Sequence, residues 1–115
     1  MAAIEITTDN FEDEILDSQI PVIMDFWSYR CGPCMRQLNV MTELADDWDN
    51  EIKIAKINVD EEEDIADYFD IKSIPTLFFI NDGMIVNRET GYRTKDEIED
   101  IVRDVFREEL YESEQ

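Results

Sequence analysis

A chain of 115 residues fits one compact domain and leaves no room for a second. Thirty acids against ten bases give a formal net charge of −20, which repels nucleic acid and anionic membranes and favours partners with basic patches. There is no histidine, so imidazole bases and the commonest transition-metal ligand are missing together, and no run approaches the ~20 apolar residues that cross a bilayer.

Ala3 to Thr7 reads as a short strand. Thr8, Asp9 and Asn10 offer capping side chains for a helix over roughly 10–17. Pro21 interrupts the chain. Val22 to Phe26 then forms a near-continuous apolar strand, as expected of a central strand covered on both faces. Cys31-Gly32-Pro33-Cys34 opens a long helix to about Asp49, with Leu38, Met41, Leu44, Ala45 and Trp48 at helical spacing. Ile52 to Val59 is a strand whose apolar set changes face once, after Ala55. Asp60 is placed to cap a short acidic helix carrying Ile65, Ala66, Tyr68 and Phe69. Thr76 to Ile80 is a second buried strand, and Asn81-Asp82-Gly83 turns it into a hairpin with Met84 to Arg88. Thr94 and Glu97 form a capping box for a last helix with the apolar stripe Ile98, Ile101, Val102, Val105, Phe106 and Leu110. The order β-α-β-α-β-α-β-β-α predicts an α/β fold, with one central sheet between helices. Residues 1–110 make the domain and 111–115 a frayed acidic tail. No basic segment followed by a long apolar one opens the chain, so a cytoplasmic protein is expected.

Both cysteines lie in one Cys-x-x-Cys. A bridge between them closes a very small loop and restrains little of the unfolded chain, so a structural role is weak. Redox chemistry and half of a metal site remain. Zinc usually takes four nitrogen or sulfur ligands, so metal binding here needs a dimer. The redox reading has a direct physical basis. Gly32 allows a tight turn, and Pro33 is tolerated in a first helical turn. Residues at i and i+3 share a helix face, so the sulfurs can meet. Unpaired N–H groups and the positive helix end lie beside Cys31 and favour its thiolate. Cys31 is therefore the expected attacking thiol and Cys34 the resolving one.

The stretch Asp25-Phe26-Trp27-Ser28-Tyr29-Arg30-Cys31-Gly32-Pro33-Cys34 resembles the active-site motif of the thioredoxin family. Ala55-Lys56-Ile57-Asn58-Val59-Asp60, Ile74-Pro75-Thr76-Leu77 and Gly91 resemble further family motifs in the same order, and the likeness covers roughly residues 4–110. It implies a mixed five-stranded sheet flanked by four helices. It implies a protein disulfide reductase in which Cys31 forms a mixed disulfide with the substrate and Cys34 releases it. Asp25 would move the Cys34 proton, with Lys56 beside it. A buried carboxylate in an apolar strand suits that work, because burial raises its pKa. Pro75 would be a cis-proline against the sulfurs, and Ile74 would offer backbone groups to an extended substrate. Trp27 would shield the site, Gly91 would keep the docking surface flat, and Gly32, Pro33 and Arg30 would border the substrate. The implied protein is a monomer with no bound cofactor. Its partners are disulfide-containing proteins and a thioredoxin reductase, which draws electrons from NADPH or ferredoxin. The sequence departs from the family pattern in having Arg30 for the usual Trp, Met35 for a frequent basic residue, and Asn39 for a helix-kinking proline.

Overall fold

The computed structural model describes residues 2–106. Five strands, β1 (Ile4–Glu5), β2 (Val22–Trp27), β3 (Lys53–Asn58), β4 (Thr76–Asn81) and β5 (Met84–Thr90), form one sheet in the order β1-β3-β2-β4-β5. β1, β3 and β2 run parallel, and β4 and β5 are antiparallel to their neighbours. Three α-helices, α1 (Gly32–Asp47), α2 (Glu63–Tyr68) and α3 (Lys95–Val105), and a one-turn π-helix over Glu12–Leu16 complete the α/β architecture. Leu110 and the expected tail at 111–115 lie outside the described residues.

β2 is buried at every position, which is why its sequence is nearly all apolar. Its side chains alternate between two cores. Val22, Met24 and Phe26 pack with Ile15, Ile65, Phe69 and Phe78 under the π-turn and α2. Ile23 packs with Met41, Leu44, Phe79, Ile98, Val102 and Phe106 under α1 and α3. Asp25, two residues beyond Ile23, faces that second layer.

β3 also sends apolar side chains to both cores, with Lys53 and Lys56 only partly buried. Ile52 and Ile54 belong to one core, and Ala55 and Ile57 to the other. The expected change of face is therefore simple alternation between two covered faces, and the ladder from Val22↔Lys53 to Trp27↔Asn58 runs unbroken.

Local signals set several boundaries. Asp82 and Gly83 both take positive φ, 54° and 75°, the conformation a two-residue hairpin with matching strand twist requires. The added Cβ at Gly83 would also press on the Leu16 carbonyl oxygen at 3.1 Å. Thr94 and Glu97 make the capping box in both directions, which contributes on the order of 1 kcal/mol.

Two expectations fail. The helix over 10–17 shrinks to the π-turn. Asn10 does not cap it; its side chain accepts from the Thr7 N–H at 2.8 Å and donates to the Glu5 carbonyl at 3.0 Å. Asp60 does not cap the acidic helix either. α2 starts at Glu63, its N-cap Glu62 makes no side-chain bond, and Asp60 is committed elsewhere.

Candidate active site

The end of β2 and the start of α1 bring the reactive pair together. Cys31 is the N-cap of α1, with φ −110° and ψ 108°, and its sulfur accepts from the Cys34 N–H at 3.2 Å. The sulfur thus takes the position where a helix start offers unpaired donors and partial positive charge. Pro33 sits within the first turn, where its missing N–H costs nothing. Cys31 and Cys34 are joined by a disulfide. Cys31 is partly exposed, whereas Cys34 is fully buried. Gly32 is not in the left-handed region, and a Cβ there would meet nothing within 4 Å. The tight-turn reason expected for Gly32 is therefore absent; the space beside it is open.

The loop before β4 closes one side. The Ile74–Pro75 peptide bond is cis, and the Ile74 carbonyl oxygen lies 3.7 Å from the Cys31 sulfur. The Gly91 N–H donates to the Pro75 carbonyl at 2.8 Å. Gly91 has φ 93°, so its backbone conformation, and not crowding, favours glycine there.

On β2, six residues before Cys31, Asp25 is fully buried, and among the described residues neither carboxylate oxygen has a hydrogen-bond partner. Burial raises its pKa well above the ordinary 3.8, and the positive charge of Lys56 offsets part of that rise. Lys56 is the register partner of Asp25 on β3, but its ammonium reaches outward to Glu5 at 3.8 Å. It also lies 5.9 Å from the centre of the Trp27 ring. Trp27 is only 3% exposed and packs edge-on, at 4.7 Å, against Tyr29, which is 76% exposed. Tyr29 is thus the aromatic surface open to solvent here, with Trp27 behind it.

Arg30 does not stand free beside Cys31. Its guanidinium pairs with Asp60, and the Ser28 hydroxyl donates to the same carboxylate at 2.6 Å. The hydrogen bonds from Arg30 and Ser28 hold the Asp60 carboxyl below its ordinary pKa, and the same pairing raises that of Arg30.

Sequence reasoning passed over Gln37. It is fully buried in α1, and its side chain accepts from the Arg93 N–H at 2.8 Å and donates to the Arg93 carbonyl at 3.0 Å. One residue earlier, Arg36 stacks on the Tyr92 ring at 4.6 Å. A polar residue on the buried stripe of an amphipathic helix was the available signal.

The Thioredoxin family profile matches residues 2–104. The chain belongs to the thioredoxin family. It is similar to a thioredoxin of Chlorobaculum thiosulfatiphilum, 46% identical over 82% of this chain and 87% of the relative. It is also similar to thioredoxin 1 of Nostoc sp., at 40% over 78% and 84%, and to a thioredoxin of Staphylococcus saprophyticus, at 37% over 89% and 96%. As in this family, the mixed five-stranded sheet carries the Cys31–Cys34 pair at a helix start, and the chain is a thiol–disulfide oxidoreductase. Among the described residues no helix is long and apolar enough to cross a membrane. Nor does any group of three or more His, Cys, Asp or Glu among them suit a metal ion.

Proposed function

We propose that this chain is a cytoplasmic, monomeric reductase of protein disulfides, recharged by a separate thioredoxin reductase. The observation that carries the proposal is the unequal burial of the two cysteines: Cys31 is partly exposed and Cys34 is fully buried. In the dithiol form, the Cys31 thiolate attacks one sulfur of a substrate disulfide. A mixed disulfide forms and the other substrate sulfur leaves as a thiolate. The Cys34 thiol passes its proton to Asp25. Cys34 then attacks the Cys31 sulfur, the Cys31–Cys34 bond forms, and the second substrate sulfur leaves. The substrate has gained two electrons and the protein has lost two. The reductase returns them, ultimately from NADPH or ferredoxin.

The remaining roles follow from position. The Ile74 backbone beside cis-Pro75 receives the extended substrate as an added strand. Gly32, Pro33, Gly91 and Tyr29 form the border it crosses. Trp27 and Lys56 back the site, and Arg30 holds the turn before Cys31. The test is the double variant Cys31→Ser/Cys34→Ser, assayed for reduction of a protein disulfide with the recharging system present. Complete loss is expected. Retained function would make the thiols incidental and the chain a binding scaffold.

A further inference from the structure

The acids of this chain are not spread evenly. Phe26 to Thr42 contains no Asp or Glu, nor does Ile71 to Asn81, nor Thr90 to Lys95. These three stretches meet around the disulfide. The Ile74 carbonyl faces the Cys31 sulfur, the Pro75 carbonyl binds Gly91, and Gln37 binds Arg93. Together they carry Arg30, Arg36, Lys72, Arg93 and Lys95, half of the ten bases. Four of these five pair with acids outside the stretches, namely Asp60, Asp70, Glu89 and Asp47. Arg36 is the exception. Among the described residues it has no carboxylate partner; it lies two residues past Cys34 on α1, and its exposed side chain stacks on Tyr92.

From this segregation we infer that the redox face accepts substrates with an acidic residue flanking the target disulfide, and that Arg36 is the group that reads it. The inference rests on the reductase reading above. Two fields compete. The whole protein, at −20, favours basic partners. At physiological salt the Debye length is about 8 Å, so distant acids are screened while a direct contact at Arg36 is not. The stacked guanidinium is held in place by Tyr92, which leaves its donors free for a carboxylate. An exposed ion pair of this kind changes a rate constant by about 2–5-fold.

The test uses the reduced full-length protein and two disulfide peptides of identical sequence, flanked by Glu in one and Lys in the other. The second-order rate of disulfide cleavage is measured at about 0.15 M and about 1 M salt, where the Debye length is about 8 and 3 Å. The Glu peptide should react about 2–5-fold faster at the lower salt, and the preference should fade at the higher. Arg36→Gln should abolish it, Arg36→Glu should invert it, and Arg36→Lys should restore most of it. A faster Lys peptide in the unmodified protein, or a preference that survives Arg36→Gln, overturns the inference. Failure to cleave either peptide overturns the reductase reading instead.

Discussion

Arg30 and Asp60 grip each other by two hydrogen bonds, Nε to Oδ2 at 3.2 Å and a terminal guanidinium nitrogen to Oδ1 at 2.6 Å. The pair spans thirty residues and ties the turn before Cys31 to the loop after β3. It also neutralises a cation that would otherwise act on the Cys31 sulfur. Arg30→Trp should therefore change the alkylation rate of Cys31 at neutral pH very little. Asp60→Asn frees the guanidinium, and the rate should rise about 2–3-fold at low salt. Iodoacetamide kinetics on the reduced protein decide between these. Slower alkylation in Asp60→Asn would mean that the pair mainly shapes the turn.

Reaction order follows from burial. Cys34→Ser should attack disulfides and stall as a mixed disulfide through Cys31, visible as an adduct by mass spectrometry. Cys31→Ser should form none, because its remaining thiol is sealed in the core. Adducts through Cys34 would reverse the assignment.

Gln37 ties α1, which carries Cys34, to the loop at Gly91–Arg93. Gln37→Leu removes both bonds to Arg93 and strands two backbone groups, a loss of about 1–3 kcal/mol. The loop at Gly91–Arg93 should loosen while the sulfurs stay in place. The Michaelis constant for a protein substrate should rise more than kcat falls, with little change toward a small aromatic disulfide. Equal losses toward both would make Gln37 a purely structural residue.

Short-range signals were the legible ones. The apolar run of β2, the capping box at Thr94 and the turn at Asp82-Gly83 each depend on neighbours within a few residues, and each forms as read. Cys31-Gly32-Pro33-Cys34 is legible for the same reason. What escaped depends on distance in the chain. Asp60 reads locally as a helix cap, but a guanidinium thirty residues away claims it. Gln37 was passed over because its polar partner lies fifty-six residues on. The π-turn at Glu12–Leu16 is short because only Ile15 in it is buried, so one anchored side chain holds it instead of an amphipathic face.

The acidic surface makes a prediction of its own. With a net charge of −20, self-repulsion opposes the compact state at low ionic strength. The melting temperature should climb as KCl rises toward about 1 M, where the Debye length falls to about 3 Å. A scan by circular dichroism suffices. A flat profile would mean that local pairs such as Lys95 with Asp47 already offset the repulsion.

Asp25 carries both a kinetic and a thermodynamic signature. It is buried without a hydrogen-bond partner among the described residues, and burial raises its pKa well above 3.8. Below that value the carboxyl is protonated in both the folded and the unfolded chain, and it contributes no pH dependence. As pH rises past 3.8 the unfolded chain releases this proton while the folded protein keeps it. The folded state then binds more protons, so stability falls with pH until the raised folded pKa is passed. Asp25→Ala removes this penalty. In the oxidised protein, where the cysteines do not titrate, the melting temperature of the variant minus that of the parent should grow from about pH 4 upward and then level off. Any fixed cost of the cavity offsets the curve without changing its slope. The same variant should slow resolution of the mixed disulfide by about 10²–10⁴-fold, and slow the first attack much less. Together the two measurements separate burial from catalysis. A rising temperature difference with unchanged resolution would leave Asp25 as a buried acid with no part in the proton transfer. A flat difference would mean that the carboxyl is solvated, and its fitness as a base would go with it.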